Sequence, residues 1–136
     1  MKKIFGLVGL AVLISACSGI QTSELLDGTE WELRNIRKST PIPGRKITIK
    51  FNDGEVSGIA GCNSYFGSVE IKGDAINFGM MASTEMACME PAGIMDQEQE
   101  YLKFLADVVI FEIADDQLIL KQAVQDQLTF TRTDPD

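Results

Sequence analysis

A strictly alternating segment that ends in a tight turn constrains the fold of this chain most. Ile47, Ile49 and Phe51 alternate with polar residues, and Asp53-Gly54 follows directly. Alternation with a period of two predicts a strand with one buried face, and Asp-Gly accepts the positive φ angles of a hairpin turn. The sequence therefore predicts a β-hairpin whose second strand covers residues 55–60.

Short alternating segments recur along the chain, with turn signals at about the 8–12-residue spacing of all-β folds. Links of hairpin length imply antiparallel pairing. We predict five or six strands before residue 91 and three after residue 106. Besides the hairpin, the segments that define them contain Trp31 and Leu33, Val69 and Ile71, Ile76 and Phe78, Val108 to Ile113, Leu118 to Leu120, and Leu128 and Phe130.

One segment, residues 91–106, has a helical period instead. Ile94, Leu102 and Leu105 fall on one stripe together with Glu98, which predicts an amphipathic helix. A single helix can cover only one face or one open end of a sheet. We therefore expect an α+β domain in which a curved, mostly antiparallel β-sheet, partly closed and barrel-like, packs around one α-helix.

The first residues have the pattern of a lipoprotein signal. Two lysines precede the apolar run 4–14, and Ile14-Ser15-Ala16-Cys17 follows. The run is shorter than the roughly 20 residues that a membrane span needs, which indicates a cleaved signal peptide. Small residues before a cysteine resemble the lipobox of bacterial lipoproteins. We therefore expect residues 1–16 to be removed and Cys17 to carry acyl chains such as palmitate, the alternative being an ordinary secretory signal.

This interpretation also predicts a location. Ser18 follows the cysteine, and resemblance to lipoproteins of Gram-negative bacteria then implies the outer membrane, with the domain in the periplasm. Residues 17–24 would form a tether to one domain, residues 25–133. Residues 1–16 hold two of the 12 basic residues and none of the 20 acidic ones, so the net charge after cleavage is −10. So acidic a surface repels nucleic acid and anionic headgroups, and attachment must come from the lipid.

Three motifs and the helix together resemble the META domain of HslJ-like bacterial envelope proteins. The resemblance covers about residues 25–133. It implies a small single domain with a sheet around one helix, usually on a secreted or lipid-anchored protein, with links to stress tolerance and with no enzymatic activity or cofactor. The residues that carry it are Gly28-Thr29-Glu30-Trp31-Glu32-Leu33, Ser57 to Gly67 (SGIAGCNSYFG), Ala82 to Cys88 (ASTEMAC), and the helix with Tyr101-Leu102.

Cys62 and Cys88 are the two cysteines left after acylation of Cys17. A cysteine nucleophile needs a base, most often histidine, and the chain contains none. Two cysteines are also too few for a tetrahedral metal site, so we expect no metal. In an oxidising compartment we predict a disulfide bond that closes a loop of about 27 residues and contributes ~3.5 kcal/mol. Two separate buried thiols are the alternative.

The residues around Cys62 then receive structural roles. We expect Gly61 and Gly67 to permit backbone turns, and Asn63 to hydrogen-bond the backbone of its own turn. Tyr65 and Phe66 are predicted to cover the disulfide. A phosphate cradle is disfavoured because no P-loop lysine and no helical pattern follow these glycines.

For function, we expect a non-enzymatic domain that binds an envelope protein or acts in assembly or stress tolerance at the outer membrane. A barrel-like pocket that carries a small apolar ligand or an acyl chain is the alternative. No cofactor, metal or nucleic acid is expected. The methionines between residues 80 and 95 are expected mainly to fill the core, and an adaptable partner surface is their second interpretation; they are Met80, Met81, Met86, Met89 and Met95.

Overall fold

The computed structural model describes residues 22–123 and 126–133. The predicted signal peptide, residues 1–16, and Cys17 lie outside this part of the chain. Neither helix in the described residues has both the length and the apolar character needed to cross a membrane. In chain order the elements are α1 Thr22–Leu26, β1 Glu30–Ile36, β2 Thr48–Asn52, β3 Glu55–Ile59, β4 Ser64–Lys72, β5 Ala75–Phe78, β6 Ala82–Ser83, α2 Ile94–Ala106, β7 Val108–Ala114, β8 Gln117–Gln122 and β9 Gln127–Arg132.

Eight of the nine strands form a closed antiparallel barrel. Neighbouring strands follow the order β3, β2, β1, β9, β8, β7, β5, β4, and a direct β3–β4 pairing closes the ring. The short strand β6 pairs with Tyr65 and Phe66 of β4, on the edge that β5 occupies further along the strand. The expected curved, barrel-like antiparallel sheet is therefore confirmed, and its closure is complete rather than partial.

The predicted hairpin shows why alternating residues produce this fold. Ile49 and Phe51 of β2 are buried, while Lys50 and Asn52 between them are exposed. The turn residue Asp53 has a φ of 50° and Gly54 one of 75°, which only residues tolerant of the left-handed region adopt readily. The chain thus returns along β3, as the sequence predicts.

The pairing register gives the barrel two distinct rims. Trp31 at the start of β1 pairs with Arg132 at the end of β9, and Asn52 pairs with Glu55 at the same end, which we call the N-terminal rim. Ile59 pairs with Ser64 at the opposite end, which we call the cysteine rim because Cys62 lies in the connection that follows β3.

Helix α2 packs into the barrel at the cysteine rim. Its Tyr101 is fully buried and contacts Tyr65 of β4 and Phe130 of β9, with ring centroids 5.7 and 6.4 Å apart. Because β4 and β9 are on opposite sides of the ring, one side chain of the helix reaches both walls. The interior is filled by large aromatic side chains, namely Trp31, Phe51, Tyr65, Tyr101, Phe104 and Phe130.

Two short elements were not predicted. Thr22 to Glu24, the described part of the predicted tether, belong to helix α1, whose Leu26 is fully buried. Strand β6 contains only two residues. Neither five helical residues nor two strand residues are long enough to show a period in the sequence, so a pattern-based prediction misses both.

Candidate functional site

A disulfide bond joins Cys62 and Cys88, whose Cα atoms are 5.9 Å apart. Of the two alternatives left open by the sequence, the structure therefore contains the bond and not two separate thiols. The bond ties the connection between β3 and β4 to the segment between β6 and α2. This covalent link fixes residues 84–90 against the cysteine rim.

Beneath the disulfide lies a buried carboxylate, Glu98 of α2, whose exposed fraction is 4%. It accepts hydrogen bonds from the backbone N–H groups of Cys62 and Asn63, at 3.0 and 2.6 Å, and from the side-chain amide of Asn63 at 2.7 Å. A buried carboxylate is tolerated only when such donors satisfy it. Glu98 therefore fixes the cysteine loop to the helix, a role that the sequence analysis did not assign.

Asn63 connects this carboxylate to the segment that follows β6. Its Oδ1 accepts from the backbone N–H of Met86 at 2.7 Å and from the hydroxyl of Thr84 at 2.8 Å, and its Nδ2 donates to the carbonyl of Met86 at 3.1 Å. The expectation that Asn63 bonds backbone is correct, but the backbone is that of Met86, 23 residues away, and not that of its own turn. The Asn63 side chain thus forms the two hydrogen bonds with the Met86 backbone that a neighbouring strand would otherwise form.

The two glycines of the motif have different roles. Gly61 has a φ of 113°, and a Cβ at this position would lie 3.0 Å from the side chain of Ile94, so it permits a turn as expected. Gly67 lies inside β4 and has no positive φ. A Cβ there would collide with the sulfur of Met81, so Gly67 allows a close approach of the 80–81 segment and the predicted turn role is wrong.

Tyr65 and Phe66 do not form a common cover over the disulfide, because successive residues of a strand face opposite sides. Tyr65 points into the core, where its hydroxyl bonds the Thr48 carbonyl at 2.8 Å and the Tyr101 hydroxyl at 2.7 Å. Its single proton goes to the carbonyl, so Tyr101 is the donor to Tyr65. Phe66 points outward and is 62% exposed.

The two tyrosines give a testable alkaline signature, because they are the only tyrosines in the chain. Burial raises the pKa of both Tyr65 and Tyr101 above the ordinary value of about 10. The unfolded chain loses these protons near pH 10 while the folded chain keeps them, so stability falls as the pH rises above about 10. We expect tyrosinate absorbance to appear only together with the loss of native circular dichroism. Tyrosinate that forms near pH 10 in a folded protein would contradict this assignment.

An exposed apolar surface lies beside the disulfide. It consists of Ile59, Phe66, Met80, Met86 and Met89, and we call it the methionine surface. The two most exposed members are Met80 at 95% and Met89 at 85%. The expectation that the methionines mainly fill the core is wrong for Met80, Met86 and Met89; only Met81 packs against the core.

The members of this surface lie on neighbouring parts of the barrel wall. Phe66 of β4 pairs with Ser57 of β3 and with Ala82 of β6, so its ring lies where the three strands meet. Ile59 follows Ser57 by two residues and therefore faces the same side. Met80 precedes β6, and Met86 and Met89 flank the disulfide-bonded Cys88.

The acidic side chains offer no comparable cluster. Within the residues that the structure describes, no three Cys, Asp or Glu side chains are placed to hold a metal ion. Glu98 is bonded to the cysteine loop, whereas Glu100 is exposed and pairs with Arg37. These two carboxylates do not face each other, as expected for residues two positions apart on a helix.

These features define a class: a closed antiparallel barrel with one helix packed into its rim and a disulfide-clamped loop bonded to that helix. The family model of the META domain matches residues 24–135, which is most of the chain. The chain belongs to the META domain family. A comparison with curated protein sequences found no match.

Solved structures share the same architecture. A protein from Burkholderia xenovorans, determined by NMR, is 28% identical, with a TM-score of 0.69 over 94% of this chain and 100% of its own. A second NMR structure is 20% identical, with a TM-score of 0.66 over 80% of this chain and 92% of its own. A DUF4847 family protein from Bacteroides vulgatus is 13% identical, with a TM-score of 0.60 over 85% of this chain and 99% of its own. The last two show the fold alone.

Proposed function

We propose that this protein is a non-enzymatic META domain that binds an envelope protein, anchored in the outer membrane by lipid on Cys17 and facing the periplasm. One observation carries the binding role, namely the exposure of Phe66 and three methionines on one side of the barrel. Clustered exposed apolar side chains on a folded domain mark interaction sites.

The chemistry of the methionine surface suits a protein partner. Methionine side chains are unbranched and polarisable, so they repack against different apolar shapes. Phe66 adds a rigid aromatic group of the kind that dominates binding energy at interfaces. A surface of this composition favours a protein partner with apolar side chains over a polar small molecule.

The backbone that carries these side chains is held firmly. The disulfide fixes Cys88, and the Asn63 side chain bonds both backbone groups of Met86. Met86 and Met89 are therefore exposed on a backbone that is held in place. A fixed apolar surface loses less conformational entropy on binding, which favours affinity.

The anchoring part of the proposal rests on the sequence of the first 17 residues. The apolar run and the Ser15-Ala16-Cys17 ending support acylation. Two or more acyl chains give stable attachment, at about 0.8 kcal/mol per buried methylene. The HslJ-like resemblance adds a role in envelope stress tolerance or assembly.

The structure offers little support for the alternative, an internal carrier site for an acyl chain. The barrel axis is occupied by Tyr101, Phe104 and Phe130, all almost fully buried. One cleft, of about 250 Å³ beside Leu26, Phe51 and Val69, opens at the surface. A packed interior favours the protein-binding role.

A crosslinking experiment in intact cells tests this function. The full-length protein carries the substitutions Phe66→Ser, Met80→Ser and Met89→Ser, all at side chains more than half exposed, so the fold should be kept. The matched control is Val109→Ser with Ile110→Ser, which removes two exposed apolar side chains of β7. We expect the wild type and the control to crosslink to the same envelope protein, and the triple variant to lose that product by about tenfold or more.

Equal loss in the control, or no specific product from the wild type under any envelope stress, would overturn the binding role. Anchoring is tested separately with Cys17→Ser. This variant should be absent from the outer-membrane fraction. Its retention in the outer-membrane fraction would overturn the proposed lipid anchor while leaving the binding role intact.

A further inference from the structure

Among the described residues, strand β6 has an unpaired edge. The β3–β4 pairing closes the barrel, so eight strands have a neighbour on each side. Strand β6 pairs with β4 alone, and no strand of residues 22–123 or 126–133 lies on its other side. An open edge is a template onto which another chain can add a strand.

The register identifies the backbone groups that face outward. The Thr84 N–H donates to the Ser64 carbonyl at 3.0 Å. Bonded and non-bonded pairs alternate along an antiparallel ladder. The next pair, Ser83 and Tyr65, is therefore non-bonded, and the N–H and C=O of Ser83 point away from β4. The Met86 backbone groups turn back toward Asn63, so those of Glu85, between Thr84 and Met86, point outward as well.

The surroundings of this edge are apolar and acidic. Phe66 lies beside Ala82 across the β4–β6 pair, and Met80 directly precedes the strand. Glu85 and Glu90 are exposed on the segment that follows β6. Arg45 donates to the backbone carbonyl of Glu90 at 3.4 Å, but within the described residues neither the Glu85 nor the Glu90 carboxylate forms an ion pair.

We propose that β6 binds an extended segment of a partner protein as an added strand, and that this segment alternates apolar and basic residues. The outward groups of Ser83 and Glu85 supply the ladder hydrogen bonds, in the β-augmentation mode of peptide recognition. Apolar side chains of the segment contact Phe66 and Met80, and basic ones pair with Glu85 and Glu90. The inference rests on the protein-binding function proposed above and specifies its partner.

A proline substitution in β6 tests the backbone edge separately from the side chains of the methionine surface. Ser83→Pro removes the outward N–H but no hydrogen bond to β4, and proline is tolerated at edge positions whose N–H faces solvent. Ser83→Ala keeps the N–H and is the matched control. The probe is a synthetic nine-residue peptide of alternating lysine and valine, with fluorescence anisotropy as the readout. A peptide with glutamate in place of lysine tests the charge.

We expect the wild type and Ser83→Ala to bind the lysine peptide equally, Ser83→Pro to bind about tenfold more weakly, and the glutamate peptide not to bind. A second variant, Glu85→Lys with Glu90→Lys, leaves the strand intact and should weaken binding by a similar factor. Equal affinity for both peptides, or unchanged affinity in both variants, would overturn the proposal. Dimerisation of the free protein that Ser83→Pro abolishes would assign the edge to a second copy instead, and would also overturn it.

Crosslinking in cells distinguishes failure of strand addition at β6 from failure of the protein-binding function. If Ser83→Pro still crosslinks to the envelope protein in cells while the Phe66, Met80 and Met89 variant does not, the binding function stands and strand addition is wrong. If neither variant changes crosslinking, both are wrong. Loss of crosslinking in both variants supports a partner strand that pairs with β6 and covers the methionine surface.

Discussion

Replacement of Glu98 by alanine is expected to lower the free energy of unfolding by about 3–5 kcal/mol. The substitution leaves two backbone N–H groups, those of Cys62 and Asn63, and the Asn63 amide without their acceptor in a buried site. Each unsatisfied buried donor costs about 1–3 kcal/mol, and the costs of adjacent groups are not fully additive. Urea denaturation followed by circular dichroism measures the loss.

Glu100→Ala is the matched control, since Glu100 is on the same helix but is exposed and paired with the exposed Arg37. Surface ion pairs of this kind contribute about 0–1 kcal/mol. Glu98→Gln should be intermediate, because one oxygen still accepts while the new amide faces another donor, the Asn63 Nδ2. Equal small losses for Glu98→Ala and Glu100→Ala would show that the buried network does not stabilise the fold.

Removal of the disulfide is expected to have an effect of similar size. Cys62 and Cys88 are 26 residues apart, and the chain-entropy model gives about 3–4 kcal/mol for a loop of this length. The double variant Cys62→Ala, Cys88→Ala should therefore unfold at a temperature about 10–15 °C lower. Calorimetry measures the unfolding temperatures of the oxidised protein, the reduced protein and the double variant.

A reducing agent should destabilise the wild type to nearly the level of the double variant and should leave the double variant unchanged. The amides of residues 84–90 should lose hydrogen-exchange protection first, because only hydrogen bonds, chiefly those of the Asn63 side chain, then hold that segment. Unfolding temperatures that do not respond to reduction would contradict a stabilising bond.

The fold was predictable from local periods. The β2–β3 hairpin, the order of strands and helix, and the antiparallel barrel follow from alternation, turn residues and the helical stripe. Each of these signals lies within about 15 neighbouring residues, the range over which a period can be recognised. Family resemblance and periodicity therefore agree on the architecture.

The site was less predictable because its contacts are distant in sequence. Glu98 bonds residues 35 and 36 positions before it, and no local period encodes such a pairing. A usable signal did exist, since a charged residue on the buried stripe with Ile94 and Leu105 needs a partner. The exposed methionines were misassigned because hydrophobicity alone does not distinguish a core residue from a binding residue.

The register of the barrel sets the direction in which a tethered molecule points. The chain enters β1 at the N-terminal rim, whereas Ile59, Ser64 and the β6 edge lie toward the cysteine rim. With the lipid attachment proposed for Cys17, the bilayer lies on the entry side and the open strand is held away from it. A client of the edge would then approach from the aqueous compartment rather than from the leaflet that holds the lipid.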